Sequence, residues 1–300
     1  MKGKLEMKGK LEMANGKTET FEEFVMGACR LVLGDYAKAL ADVQGVNLIF
    51  TSPPYNIGSK CPKMTGRRNM RDAQGNLLGW CDAKSWQAVT EYPDSLPEDV
   101  YQEQQKEFLR WCLARLAPNG VIIYNHKPRH RKGELIKPEE WILPLKWRGE
   151  LEFSQEIVWD RLSTHNHAKA FVYPQSERLF VLKRPGETPH FRNEPPLWDE
   201  EKKKKNKGVG DVWSIPPAPG ESFHNAPFPE LLARQCVRMW SRPGDLVMDP
   251  YSGSGTTMAA CLWDNRRFVG AEEITKFFEK TVARIEKTVA RIRGEEKESA

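Results

Sequence analysis

The chain has 300 residues, a net charge of +5, and 39% hydrophobic against 29% charged residues. That is enough apolar material for one large α/β domain or two small ones. It excludes a bilayer-spanning helix, since no run approaches the ~18 apolar residues required. The mild basicity permits a polyanionic partner without requiring one. The six cysteines, Cys29, Cys61, Cys81, Cys112, Cys236 and Cys261, include no C-x-x-C pair. Neither a disulfide scaffold nor a zinc site is indicated, no metal is expected, and reduced, mostly buried thiols are the reading.

Residues 1–12 repeat Met-Lys-Gly-Lys-Leu-Glu and lack the apolar core of a signal peptide. A disordered tail over residues 1–20 and a cytoplasmic location (nucleoid-associated in a prokaryote or phage-infected cell) are the expectations. Residues 29–33 form a short apolar strand that ends in Gly34-Asp35, where Asp35 suits a turn. Residues 46–50, Val-Asn-Leu-Ile-Phe, have the β-branched, apolar character of a buried parallel strand.

Thr51-Ser52-Pro53-Pro54-Tyr55-Asn56 follows that strand directly. Two prolines stop sheet pairing, fix φ and push the chain into an extended turn whose carbonyls point away from the sheet. A hydroxyl at Ser52 and a ring at Tyr55 flank them, which makes a rigid acceptor beside a stacking platform. Residues 57–97 contain no long periodic segment but carry Lys60, Arg67, Arg68 and Arg71 among tryptophans. A loop of that length next to a rigid turn is usually functional, and basic residues interleaved with aromatics can follow a phosphate backbone.

Ser95-Leu96-Pro97-Glu98 has the pattern of a capping box, with Tyr101, Phe108, Leu109, Cys112 and Leu116 as the apolar stripe of the helix it opens. Pro118-Asn119-Gly120 is read as ending that helix before a strand at 121–125, and further strands are read at 156–159 and 178–182. Residues 184–215 turn proline-rich and then charged, with Lys203 and Lys204 in a run of lysines. Leu231, Leu232, Cys236 and Met239 mark an amphipathic helix, residues 246–248 a strand, and 267–272 another. The closing helix has Phe277, Phe278, Val282 and Ile285 at helical spacing and is read as docking on the core.

Asp249-Pro250-Tyr251-Ser252-Gly253-Ser254-Gly255-Thr256-Thr257 joins the penultimate strand to a helix start. A strand, a glycine turn and a helix N-terminus form a nucleotide-binding element, and Glu272 at the end of the next strand suits ribose hydroxyls. The stretch lacks both G-x-x-x-x-G-K-[ST] and the third glycine of G-x-G-x-x-G, which disfavours a triphosphate and a dinucleotide. S-adenosylmethionine is the better ligand, its sulfonium suiting a pocket with aromatic walls.

Ser52-Pro53-Pro54-Tyr55 resembles the catalytic tetrapeptide of the amino-methyltransferases that act on DNA, and residues 249–257 resemble their S-adenosylmethionine loop. With the tetrapeptide first and the loop last, the order is similar to the circularly permuted group called the beta class, over about residues 31–292. The resemblance implies a doubly wound, mostly parallel, seven-stranded α/β sheet of the Rossmann-like methyltransferase type. Its divisions would be a catalytic half at 21–183, a short target-recognition or linker segment at 184–215, a cofactor half at 216–293 and a tail at 294–300.

The implied catalytic set is Ser52, Pro53, Pro54 and Tyr55. Asp35, residues 249–257, Glu272, His224 and Phe228 would hold the cofactor, and Asn56, Lys60, Arg67, Arg68, Arg71, Lys203 and Lys204 would meet DNA. Ser at the first motif position leans to cytosine N4 and Asp to adenine N6. An RNA or protein amino-methyltransferase, or a nucleic-acid binder with a decayed site, are the competing readings. The implied partner is DNA with its target base flipped out; a homodimer and a cognate restriction endonuclease are left open.

Overall fold

The computed structural model describes residues 4–12, 18–57, 70–71, 77–79, 95–131, 133–162, 172, 175–217 and 228–294. In chain order the first strands are β1 (Lys4–Glu12), β2 (Thr18–Met26), β3 (Cys29–Leu33), β4 (Val46–Thr51), β5 (Met70–Arg71), β6 (Leu77–Gly79) and β7 (Leu116–His126). They are followed by β8 (Arg129–Arg131), β9 (Glu134–Ile136), β10 (Glu152–Asp160), β11 (Ser176–Lys183), β12 (Val212–Ser214), β13 (Leu246–Asp249) and β14 (Arg267–Glu272). The helices are α1 (Tyr36–Ala39), α2 (Glu98–Leu113), α3 (Glu139–Trp147), α4 (Glu200–Lys204), α5 (Glu230–Trp240), α6 (Thr256–Trp263) and α7 (Thr275–Ile292).

Ten strands make one sheet in the order β1-β2-β3-β14-β13-β4-β7-β11-β10-β12. Its centre, β3 to β7 in that order, is parallel throughout, and β11 and β10 then pair antiparallel to complete it. Strands buried on both faces should be apolar along their length. In β4 the side chains of Val46, Leu48, Ile49 and Phe50 are fully buried. One face is covered by α5, α6 and α7, packing residues such as Phe278, Ile285, Met258, Leu232 and Trp240 around Phe50 and Phe268. The other is covered by α1, α2 and α3, with Phe108, Leu109, Trp141 and Leu145 over Ile49, Ile122 and Phe180. Each such large side chain contributes roughly 1.5–3 kcal/mol by leaving water.

The seven expected strands are all present, and three more extend the edges. Residues 4–12 and 18–26 are not an unstructured tail: β1 pairs antiparallel with β2, and β2 with β3. Alternation within Thr18–Met26, with Phe24 and Met26 buried, lets that segment extend the sheet despite its charge. At the other edge β12 joins β10 in parallel. Two boundaries also differ from the sequence reading. The cap of α2 is Pro97 with no side-chain hydrogen bond, so Ser95 does not form a capping box. Residues 118–120 lie inside β7 rather than in a turn before it.

Gly270 in β14 faces the start of the glycine-rich turn. A Cβ there would lie 2.2 Å from Ser252 Oγ, 2.5 Å from Phe268 Cζ and 2.9 Å from the Asp249 carbonyl oxygen. Gly270→Ala is therefore expected to lower the unfolding free energy by about 1–3 kcal/mol. Urea denaturation measures it, and an unchanged midpoint would contradict this packing.

Candidate active site

The two motifs leave the carboxyl ends of neighbouring strands. β13 pairs with β4 in parallel, Val247 opposite Leu48 and Met248 opposite Ile49. From β4 the chain crosses through α2 to β7, and from β13 it crosses through α6 to β14 on the opposite side. The strand order thus reverses between β4 and β13, where open α/β sheets bind ligands.

In the early turn Ser52 Oγ and the Tyr55 hydroxyl are 2.8 Å apart. Tyr55 donates to Glu177 Oε2 at 2.9 Å. Asn125 Nδ2 donates to Glu177 Oε2 at 3.1 Å and to the Tyr55 oxygen at 3.0 Å. Arg161 donates to Glu177 Oε1 at 3.2 Å. These partners come from the end of β7, the start of β11 and the residue after β10. Because β11 runs antiparallel to both of its neighbours, its first residues lie at the same edge as their last ones.

Tyr55 is only 8% exposed, its ring centroid 4.4 Å from that of His126. Burial and the Glu177 carboxylate push its phenol well above the usual range. It is therefore the centre of a hydrogen-bond cluster as well as a ring, a role the tetrapeptide alone did not reveal. A second relay holds the turn from behind. Tyr101 donates to the Pro54 carbonyl at 2.7 Å and lies 2.8 Å from His126 Nε2. Since Tyr101 has one proton, Nε2 is assigned as the donor to it, which leaves Nδ1 to accept from Lys127 N at 2.9 Å although the Lys127 carbonyl lies equally near. Burial holds the His126 imidazole well below its usual pKa, hence neutral.

Asn56, expected to meet DNA, instead faces inward. It is 3% exposed, adopts a left-handed φ of 55° and donates to the Leu96 carbonyl at 3.1 Å. Glu98 in turn receives Arg129 and Arg131, fastening the start of α2 to the turn. Lys203 and Lys204 lie exposed on α4, with Lys203 3.0 Å from Glu200. Such exposed pairs are weak and leave lysines available. Lys60, Arg67, Arg68, His224 and the side chain of Arg71 fall outside the described residues.

The late turn is braced by its own hydroxyls. Ser252 Oγ donates to the Asp249 carbonyl at 2.9 Å, and Thr257 Oγ1 to Asp249 Oδ2 at 2.7 Å. Arg284 of α7 donates to the Ser254 carbonyl at 2.8 Å and to Thr256 Oγ1 at 2.9 Å. The side chains of Ser252, Ser254, Thr256 and Thr257 are thus turned into the protein, where ligand contacts had been expected. Gly255 has a φ of 72°, and a Cβ there would lie 2.4 Å from Thr281 Cγ2. Glu272 accepts from Gly253 N and from Ile274 N, both at 2.9 Å.

Asp35, Tyr36, Pro250, Tyr251 and Glu272 line one cleft at this edge, uniting residues more than two hundred positions apart in the chain. Asp35 accepts from Ala37 N at 3.1 Å. Phe228 does not line this cleft but is buried against Phe50, their rings 4.6 Å apart. Among the described residues no cluster of His, Cys, Asp or Glu could hold a metal ion, and no helix is long and apolar enough to cross a membrane. The described cysteines, Cys29, Cys112, Cys236 and Cys261, are buried free thiols.

A family profile described as DNA methylase, covering N6 and N4 methyltransferases, matches residues 46–283. The chain is 25% identical over 283 residues to the Type II methyltransferase M.SmaI of Serratia marcescens, covering 85% of this chain and 90% of that one. It is 22% identical over 278 residues to the DNA adenine methyltransferase YhdJ of Escherichia coli K12, covering 85% and 82%. Among solved structures it superposes on the cytosine-N4-specific PvuII DNA methyltransferase with a TM-score of 0.62, at 16% identity over 89% of this chain and 93% of that one. A DNA modification methylase of Thermus thermophilus, solved in complex with S-adenosyl-L-methionine, gives a TM-score of 0.55 at 22% identity, covering 86% and 94%.

Asp249 sits wholly inside this edge, and burial raises its carboxyl from 3.8 to about 6 against the opposing pull of Thr257. A folded value above the unfolded one means that the group favours folding below about pH 4. That contribution is lost as pH rises through about 6. Between pH 4 and 7 the wild-type protein should therefore lose on the order of 2–3 kcal/mol more stability than Asp249→Asn. Parallel pH profiles for the two proteins in chemical denaturation would rule this out.

Proposed function

This chain belongs to the DNA methylase family of N6 and N4 methyltransferases. From that premise we propose that it moves a methyl group from S-adenosylmethionine to the exocyclic amine of a flipped DNA base, cytosine N4 ahead of adenine N6. The observation that carries this reading is the parallel pairing of β4 with β13, which brings the proline turn and the glycine turn to one edge.

The cleft residues fit the cofactor. Asp35 and Glu272 offer carboxylates to an adenosine moiety, and Tyr36, Pro250 and Tyr251 offer apolar walls. Asp249 adds a buried carboxyl next to the turn, suited to a cationic ligand. The cofactor supplies an electrophilic methyl carbon on sulfur. The remaining work is positioning of the base by the chain's own residues.

An exocyclic amine is a poor nucleophile because its lone pair is delocalised into the ring. Accepting its hydrogens at Ser52 Oγ and at the Pro53 carbonyl favours the pyramidal, more nucleophilic nitrogen. Tyr101 holds the Pro54 carbonyl, so Pro53 is the carbonyl assigned to the amine. Tyr55, with His126 against it and Lys127 Nζ 5.4 Å from its ring centroid, is the ring assigned to stack on the base, and base–aromatic stacking of about 1–3 kcal/mol offsets part of the extrusion. Lys60, Arg67, Arg68 and Arg71 of residues 57–97, with Lys203 and Lys204 of the 184–215 segment, track the phosphate backbone in this reading. The Type II methyltransferase relatives extend it to a cognate restriction endonuclease.

Cytosine N4 is favoured because Ser52, and not Asp, opens the tetrapeptide; YhdJ keeps adenine N6 as the second reading. DNA from cells expressing the protein, digested to nucleosides and weighed by mass spectrometry, should contain N4-methylcytosine. N6-methyladenine would reverse the choice of base, and unmodified DNA would defeat the proposal. Tyr55→Ala should slow methyl transfer by roughly 10²-fold or more while cofactor affinity, followed by calorimetry, stays within about threefold. Near wild-type turnover would remove Tyr55 from the base site.

A further inference from the structure

We propose that Glu177 is a positioning residue that makes this site select an amine over a carbonyl on the incoming base. The inference rests on the reading that Ser52 meets the target's exocyclic group, and it concerns the direction in which hydrogens point along one chain of hydrogen bonds.

Glu177 is 4% exposed and is approached by three donors: the Arg161 guanidinium, the Asn125 amide and the Tyr55 hydroxyl. As a carboxylate it can only accept. Tyr55 has one proton and commits it to Glu177 at 2.9 Å. At its 2.8 Å contact with Ser52, Tyr55 is therefore the acceptor and Ser52 the donor. The serine proton points inward; Asn125 Nδ2 lies 3.5 Å from the Ser52 oxygen and takes one lone pair, and the other is left for the site. A base edge with N–H groups is satisfied there, whereas a carbonyl oxygen would face another acceptor. Uracil and thymine O4, guanine O6 and hypoxanthine O6 are rejected on this logic, because a mismatched buried polar group discriminates strongly.

Glu177→Gln tests the polarity at nearly constant shape. Arg161 keeps its N–H toward the oxygen that replaces Oε1, so the new NH2 faces Tyr55. The amide then donates to Tyr55, Tyr55 can donate to Ser52, and the serine proton is free to point at the base. Asn125 can turn its amide over to suit, because its buried Oδ1 has no hydrogen-bond partner among the described residues.

The probes are duplexes with the base found by nucleoside analysis at the target position, or with its deaminated counterpart: uracil for cytosine, hypoxanthine for adenine. Each sits opposite an abasic site so that extrusion is equally easy, and binding is measured with S-adenosylhomocysteine present. Wild-type protein should prefer the amine by at least about tenfold, and Glu177→Gln should cut that ratio by about threefold or more, the Pro53 carbonyl keeping the remainder. Both proteins should bind a duplex with an abasic target equally, which a merely structural defect would not allow. Should Glu177→Gln not fold, Tyr55→Phe breaks the same chain at its middle link and is expected to lower the ratio likewise. An unchanged amine preference in the variant, or no preference in the wild type, would overturn the inference. DNA left unmodified by the wild-type protein would instead overturn the methyltransferase reading beneath it.

Discussion

The parallel pairing of β4 with β13 is the constraint on which the rest depends. Two hydrogen-bonded neighbours lie about 4.8 Å apart, so the chain segments leaving their carboxyl ends have no choice but to be adjacent. One leaves through two prolines and the other through two glycines. Prolines make a turn that cannot relax, and glycines let a backbone come close without Cβ atoms in the way. A rigid proline turn beside a glycine turn of close backbone approach is the product of that pairing. Crossovers running to opposite sides keep the helices clear of the space above it.

Around this edge the structure relies on clusters of hydrogen-bonded polar and charged groups, several of them buried. Glu177 gathers Arg161, Asn125 and Tyr55, and Glu98 gathers Arg129, Arg131 and Asn56. In a medium of low dielectric such clusters are rigid when complete and costly when broken. That cost makes them useful here, because methyl transfer between two bound molecules depends on geometry more than on any nucleophile of the protein. The neutral His126, passing one hydrogen bond from the backbone of Lys127 toward Tyr101 and on to Pro54, serves the same end.

The glycine turn shows a related economy. Its serines and threonines hold the loop to itself, to Asp249 and to Arg284, and Glu272 grips the loop through Gly253 N. The loop is held in shape from within, and Asp35 and Glu272 line the cleft beside it.

Much of this was legible in the sequence, because its signals are local. Apolar runs at 46–50 and 267–272, the stripe of α7, the Pro-Pro turn and the Gly-x-Gly turn depend on neighbours within a few residues, and hydrophobic burial and backbone sterics act at that range. The fold class and the order of the two motifs followed from them, whereas Asp35 was singled out only through the family resemblance. Charge hid the N-terminal hairpin, since strand pairing at a sheet edge needs a partner more than it needs hydrophobicity. Asn56 looked like a surface contact because nothing nearby in the sequence announces that Leu96 and Glu98 fold back on it. Asn125, His126, Glu177 and Arg161 carry no motif of their own. Only the antiparallel return of β11 beside β7 and β10 gathers their side chains around Tyr55, and register between separate strands is a property of the packed sheet, not of any stretch of chain.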